Sequence, residues 1–160
     1  MSAGQLAIAS KFDEAANEEN PTHKLGQIVQ QGDKVFQYVK FDNGAGNVAA
    51  AAGKLAYWKT IGTTITSDNT DAVSSVNGGS GFFRAVLTDA YHGWQQVWGS
   101  MNSATIDVQG GKGDLVVDGS TTDGTCKRVA QGTAGTHNQL GILRETGTTS
   151  PAIYITIRRA

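Results

Sequence analysis

The chain has little of what several functional classes require. It carries one cysteine, Cys126, in 160 residues, which excludes an intrachain disulfide and any multi-cysteine zinc site. With two prolines it is neither a Pro-rich linker nor a collagen-like repeat. Charged residues make up 17%, against the usual ~25%. Thirteen basic and fourteen acidic side chains leave a net charge of −1, whereas a dedicated nucleic-acid binder normally has a large positive excess. No apolar run approaches the ~20 residues of a membrane span. Met1 to Ser10 lacks a basic patch followed by an apolar stretch, so an export signal is not expected.

What is abundant is glycine, 21 residues of 160, or about 13% against a typical ~7%. Together with many Thr, Val and Ala residues, this fits one all-β domain with many turns. The segment before Pro21 differs from the rest. Lys11 to Asn20 holds Asp13, Glu14, Glu18 and Glu19 and no β-branched residue. Asp13 to Glu19 has room for a helical turn or two, ended by Asn20-Pro21. The segment reads as a disordered tail or as an arm that orders against a partner, with Leu6, Ile8 and Phe12 as its apolar contacts.

From Leu25 onward the period is two. Leu25 to Gln31 and Lys34 to Phe41 predict a hairpin turned at Gly32-Asp33. In the second strand Phe36 and Tyr38 take one face and Val35, Val39 and Phe41 the other. Asn47 to Ala52 suggests a helical turn capped by Asn47 and stopped by Gly53. Further strands are expected at 54–59, 61–66, 73–76, 82–87, 94–98, 104–109, 114–118, 125–130, 140–143 and 152–158, with 77–81 as a loop. Roughly ten short strands near the ~8–12-residue spacing of sandwiches and barrels, without helical segments between them, argue against a parallel βαβ sheet. The expected fold is a single antiparallel β-barrel or β-sandwich (residues 23–160) with an N-terminal arm (residues 1–22). Its expected core is Ile28, Val35, Tyr38, Phe82, Val86, Trp94, Val97, Trp98, Val116 and Ile155.

Motifs that carry chemistry are weak. Gly78 to Gly81 and Gly110-Gly-Lys-Gly superficially suggest phosphate loops, but Leu115-Val-Val continues as a strand and offers no helix N-terminus. His23, His92 and His137 lie in three separate segments without metal-pair spacing, and read as surface or turn residues. Cys126 has cationic neighbours in Lys127 and Arg128, which can lower a thiol pKa, yet strand alternation turns it toward the core. No Gly-x-Ser-x-Gly elbow is present. The densest aromatic stretch is Tyr91-His-Gly-Trp-Gln-Gln-Val-Trp. On a regular strand Trp94 and Trp98 share a face, so Tyr91, Trp94 and Trp98 read as a structural aromatic centre. The other reading is an aromatic platform for a sugar or an interface anchor.

Several pieces, taken in order, carry a resemblance. They are Gly26-Gln-Ile-Val-Gln-Gln-Gly-Asp-Lys-Val-Phe-Gln-Tyr-Val-Lys, an Ala/Gly-rich loop leading to Gly53-Lys-Leu-Ala-Tyr, and Thr88-Asp-Ala-Tyr-His-Gly-Trp-Gln-Gln-Val-Trp-Gly. Lys112-Gly-Asp-Leu-Val-Val, Gly141-Ile-Leu and Ile153-Tyr-Ile-Thr-Ile follow. Over about residues 25–158 the series resembles small head decoration (cement) proteins of tailed bacteriophages. The resemblance implies a tulip-like or jelly-roll-like β fold. It also implies a non-enzymatic virion protein on the outer capsid surface, made in the host cytoplasm. Such a protein bridges neighbouring major capsid protein subunits, commonly as a homotrimer. No cofactor, metal, nucleic acid, membrane or small-molecule substrate is expected. The alternative is a carbohydrate-binding β-sandwich module of a phage fibre or surface protein, stacking sugar on Tyr91, Trp94 or Trp98.

Overall fold

A computed structural model of the chain describes residues 12–72, 79–118, 121–132, 138–146 and 150–157. Within them the fold is all-β, with eleven strands: β1 Asn17–Glu18, β2 Ile28–Gln31, β3 Lys34–Phe41, β4 Leu55–Thr60, β5 Thr64–Thr66, β6 Gly79–Phe83, β7 His92–Met101, β8 Leu115–Val117, β9 Lys127–Val129, β10 Gln139–Leu143 and β11 Ile153–Thr156. Strands β3, β5, β4, β6 and β7 join in that order, and β3 pairs back with β7. The result is a closed five-stranded barrel. Closure satisfies the strand edges that an open sheet leaves unpaired. Among the described residues every strand-to-strand pairing is antiparallel except β3–β5, because the connection through residues 42–54 brings β4 in first and the β4–β5 hairpin then lays β5 along β3.

β7 is the hub. One of its edges takes β3 from Lys40↔His92 to Val35↔Trp98. The other takes β1 at His92 and Gly93, β6 at Gln95 and Gln96, and β11 from Trp98 to Met101. Beyond β11 the sheet continues through β10 and β8 to β9.

Three apolar clusters follow from strand alternation. Val39, Phe41, Ala56, Ile65 and Phe83, supplied by four of the five barrel strands, pack with Ala50 and Leu87 inside the ring. On the outer face Leu55, Tyr57, Phe82 and Met101 meet Val116, Leu140, Leu143, Ile153 and Ile155 from the extension, which folds over β4 and β6 as a second layer. Elsewhere on the outer face, Phe36, Tyr38 and Trp94 are roofed by Phe12, Ala16, Leu25 and Val29. The two faces expected for Lys34 to Phe41 are the ones found.

Several expectations need correction. Ile28 (44% exposed), Val86 (63%) and Trp98 (42%) lie outside the core, and Val35 is only half-buried. No helical turn forms at residues 47–52; Asn47 sits at φ 53° in a turn. Among the described residues of 104–109 only Ile106 pairs, as an isolated bridge to Cys126. Gly79 to Gly81, expected as loop, belong to β6 and are fully buried. These glycines mark close approach rather than a turn. A Cβ on Gly79 would lie 2.4 Å from Leu55 Cδ1, and one on Gly81 would lie 2.6 Å from Gln95 Oε1. The strand expected at 73–76 falls outside the described residues, as do Leu6, Ile8 and His137.

Candidate functional site

The Tyr91 to Trp98 stretch does not act as one unit, and the reason is a β-bulge. Opposite β3, Trp94 faces Tyr38 and Gln96 faces Phe36, but Trp98 faces Val35. Val97 is the extra residue, and its insertion reverses the alternation. Trp94 is therefore buried (1% exposed) on the outer face of the barrel, while Trp98 turns to solvent on the opposite face. Tyr91 is half-buried at the strand entrance, where its carbonyl accepts from the Phe41 N–H at 2.8 Å.

The bulge is locked at Gly99 and Ser100. Gly99 has φ +94°, and a Cβ there would lie 2.1 Å from the Asp33 carbonyl oxygen. Only glycine accommodates both conditions. The Asp33 carboxylate accepts from the Ser100 N–H at 3.1 Å and from its hydroxyl at 2.5 Å. These hydrogen bonds hold the Asp33 carboxyl below its ordinary pKa.

Around Trp94 the structure assembles rings that sequence reading left scattered. The Trp94 ring centroid lies 5.1 Å from those of Phe12 and His23 and 5.0 Å from that of Tyr38. Phe12 also meets Phe36 at 4.9 Å, and His92 stacks on Tyr38 at 6.2 Å. His23 and His92, expected as surface or turn residues, thus belong to the aromatic centre.

Residues 12–22 are laid on the barrel rather than extended from it. Asn17 and Glu18 pair with Gly93 and His92. Gly93 permits this approach, since a Cβ there would lie 2.5 Å from the Ala16 carbonyl oxygen. Asn17 and Thr88 exchange two hydrogen bonds at 3.0 Å, and Glu14 pairs with Arg84 at 3.3 Å. The Tyr38 hydroxyl donates to the Glu18 carboxylate at 2.5 Å, and the Thr22 hydroxyl donates to it at 2.8 Å. Burial pushes the Glu18 carboxyl up, but the hydrogen bonds from Tyr38 and Thr22 outweigh it and hold the pKa low. Burial, then the bond to Glu18, pushes the Tyr38 hydroxyl up to about 12. The signal that could have located this segment is Tyr91-His-Gly-Trp itself: a glycine inside a strand marks a place where another backbone comes close.

The remaining chemical candidates resolve as structural. The Gly110 to Gly113 loop holds an anion, but the anion is its own Asp114. That carboxylate accepts from the Gly111 N–H at 2.6 Å and from Arg128 Nε at 2.7 Å. Cys126 is fully buried, and burial raises its thiol pKa well above the ordinary value, away from a reactive thiolate. Among the described residues no group of three or more His, Cys, Asp and Glu side chains is placed to hold a metal.

The chain therefore presents two features of interest on opposite faces of one strand: an aromatic seat for the N-terminal segment, and an outward indole at Trp98. No protein-family model matches the chain, and no curated protein matches it.

Proposed function

We propose that this chain is a structural protein of a tailed-phage virion that attaches to the outer surface of the capsid and stabilises the shell by bridging neighbouring major capsid protein subunits. The observation that carries the reading is the anchoring of residues 12–18 across β7. Residues 1–11, with Leu6 and Ile8, are joined to the barrel at a fixed point. Phe12 contacts Phe36 and Trp94 of its own barrel, so it serves as the anchor, and Leu6 and Ile8 are the residues assigned to the capsid.

The resemblance, a pattern of turns and aromatics over about residues 25–158, supports this reading. Gly26 to Lys40 contains β2 and all but the last residue of β3, and Thr88 to Gly99 contains most of the hub strand. Eleven residues span about 36–40 Å when fully extended, so residues 1–11 suffice to cross onto a neighbouring subunit. Fixing the arm's root limits the freedom lost when its tip docks. Assembly as a homotrimer would let three arms engage one lattice, raising avidity through effective concentration. Binding to the assembled shell and not to free subunits stabilises the shell by mass action. The net charge of −1 keeps mutual repulsion low when copies crowd on one surface.

The test is co-sedimentation of purified protein with heads of the phage whose particles carry the chain. Removing residues 1–11 should leave the fold intact and weaken attachment about tenfold or more. Unchanged attachment would refute the arm, and absence of the chain from virions would refute the function.

A further inference from the structure

Residues 12–18 and the surface they cover are two halves of one interface, joined by a short exposed link. Phe12, Glu14, Ala16 and Glu18 are half-buried and alternate with exposed Asp13, Ala15 and Asn17, so the segment lies on the barrel by one side. Its seat meets particular side chains. Phe12 contacts Phe36 and Trp94, and Glu14 pairs with Arg84 at 3.3 Å. Asn17 and Thr88 exchange two hydrogen bonds at 3.0 Å, and Glu18 accepts from the Tyr38 hydroxyl at 2.5 Å.

The segment is separable from what it covers. β1 pairs with β7 alone and lies off the path of the sheet, so the five-stranded ring closes without it. Glu19, Asn20, Pro21 and Thr22 are all exposed. They form the whole link from β1 to His23, which rejoins the aromatic centre against Tyr38 and Trp94. The link folds back through the Thr22 hydroxyl, which donates to Glu18 at 2.8 Å. Pro21 works against that fold, because a proline biases the residue before it, here Asn20, toward extended backbone. Beneath the segment, Trp94 Nε1–H is buried without an acceptor among the described residues. A buried donor left unpaired weakens the interface that buries it.

We propose that residues 12–18 exchange between copies of this chain, the segment of one copy sitting in the seat of the next, across β7 at His92 and Gly93. The occupant is the one the structure displays: the contacts above are all made to residues 12–18 of this sequence, at the distances given. Each copy carries both halves. An exchanged segment therefore makes the same contacts as a closed one, and only the link changes conformation. Short hinges under strain favour such exchange. Extended, Glu19 to Thr22 covers about 13–14 Å, so exchanging barrels abut at the entrance of β7. Passing each segment to the next copy closes a ring, which gives the proposed homotrimer a defined contact. The exchange itself does not depend on capsid attachment.

The experiment uses full-length chains. Asn17→Cys and Thr88→Cys, prepared separately, are mixed, left to equilibrate and treated with a short bis-maleimide. The wild type, whose single thiol is the buried Cys126, is the blank. Denaturing electrophoresis should show a covalent heterodimer about tenfold or more above that from Asn17→Cys mixed with Glu145→Cys, because a seated pair sees a millimolar effective concentration; Glu145 is an exposed residue after β10. The double variant Asn17→Cys/Thr88→Cys should give multimers whose share grows with protein concentration. Glu14→Cys mixed with Arg84→Cys reads the same seat and serves should Asn17→Cys fold poorly. The proposal is overturned if both mixtures link no better than the Glu145 control, or if the double variant closes only within single chains at every concentration. Linking without capsid attachment would strike the capsid reading alone, and closed chains that still attach to capsids would strike the exchange alone.

Discussion

The carbonyl oxygen of Asp33 occupies the space where a side chain at position 99 would begin: a Cβ on Gly99 would lie 2.1 Å from it. The β2–β3 turn and the far half of β7 are thereby locked at one point, and the orientation of Trp98 depends on that lock. Gly99→Ala combines a disfavoured φ of +94° with a backbone clash. We predict a loss of about 3 kcal/mol, read as a fall in melting temperature of about 6–12 °C for a chain of this length. A melting curve matching the wild type would show that the contact does not constrain the strand.

The two tryptophans of β7 should behave oppositely. Trp94→Ala removes a fully buried ring that touches Phe12, His23 and Tyr38, and we predict a cost of about 3–5 kcal/mol. Trp98→Ala removes a ring that is 42% exposed, and stability should change by less than about 1 kcal/mol. Denaturant unfolding of both variants measures the contrast. Equal losses would mean that the bulge does not separate the two faces.

Glu18 and Tyr38 make the seating of the N-terminal segment dependent on pH. The Glu18 carboxyl is depressed below its reference value of 4.5, so its contribution is complete above that value and is lost as pH falls through the folded-state pKa. Tyr38 is raised from 10.0 to about 12, so its contribution is complete below 10.0 and is lost as pH rises through about 12. The stability difference between wild type and Glu18→Gln should be constant from about pH 6 to 9 and shrink on acidification below about pH 4.5. A difference that grew on acidification would contradict the assigned hydrogen bond.

Truncation distinguishes arm from seat. Deleting residues 1–11 leaves Phe12, Asn17 and Glu18 in place and should shift the melting temperature little. Deleting residues 1–20 exposes Trp94, and we predict a red-shifted indole emission and a loss of at least about 3 kcal/mol. If both truncations melt alike, residues 12–20 contribute nothing to the fold.

Cys126 should be inert in the native state. Its side chain is completely buried and its thiol pKa is raised by that burial. A thiol reagent should label it only in denaturant, at the rate of global unfolding. Rapid labelling of the folded protein would place the side chain at the surface.

The all-β class, the β2–β3 hairpin and the two faces of Lys34 to Phe41 were legible in the sequence because period-two alternation and Gly-Asp turn chemistry are local signals. Three features were not legible, and each depends on distant partners. The bulge at Val97 leaves no mark in the Trp94-Gln-Gln-Val-Trp pattern, so Trp94 and Trp98 looked equivalent. Gly79 to Gly81 reads as a loop until Leu55 and Gln95 are seen pressing on it. The two-residue strand Asn17–Glu18 is too short for any periodicity, and only its partners at Gly93 and His92 define it.

The ring closes between β3 and β7, which lie far apart in the chain, while β5, β4 and β6 are made between them. The chain must therefore bring its early and late portions together before the barrel interior can seal, at a substantial entropic cost of loop closure. Slow, all-or-none maturation follows, with the backbone amides of His92 to Met101 among the last to exchange with solvent deuterium. The same strand that holds the N-terminal segment on one side and displays an indole on the other is thus also the keystone on which native structure waits.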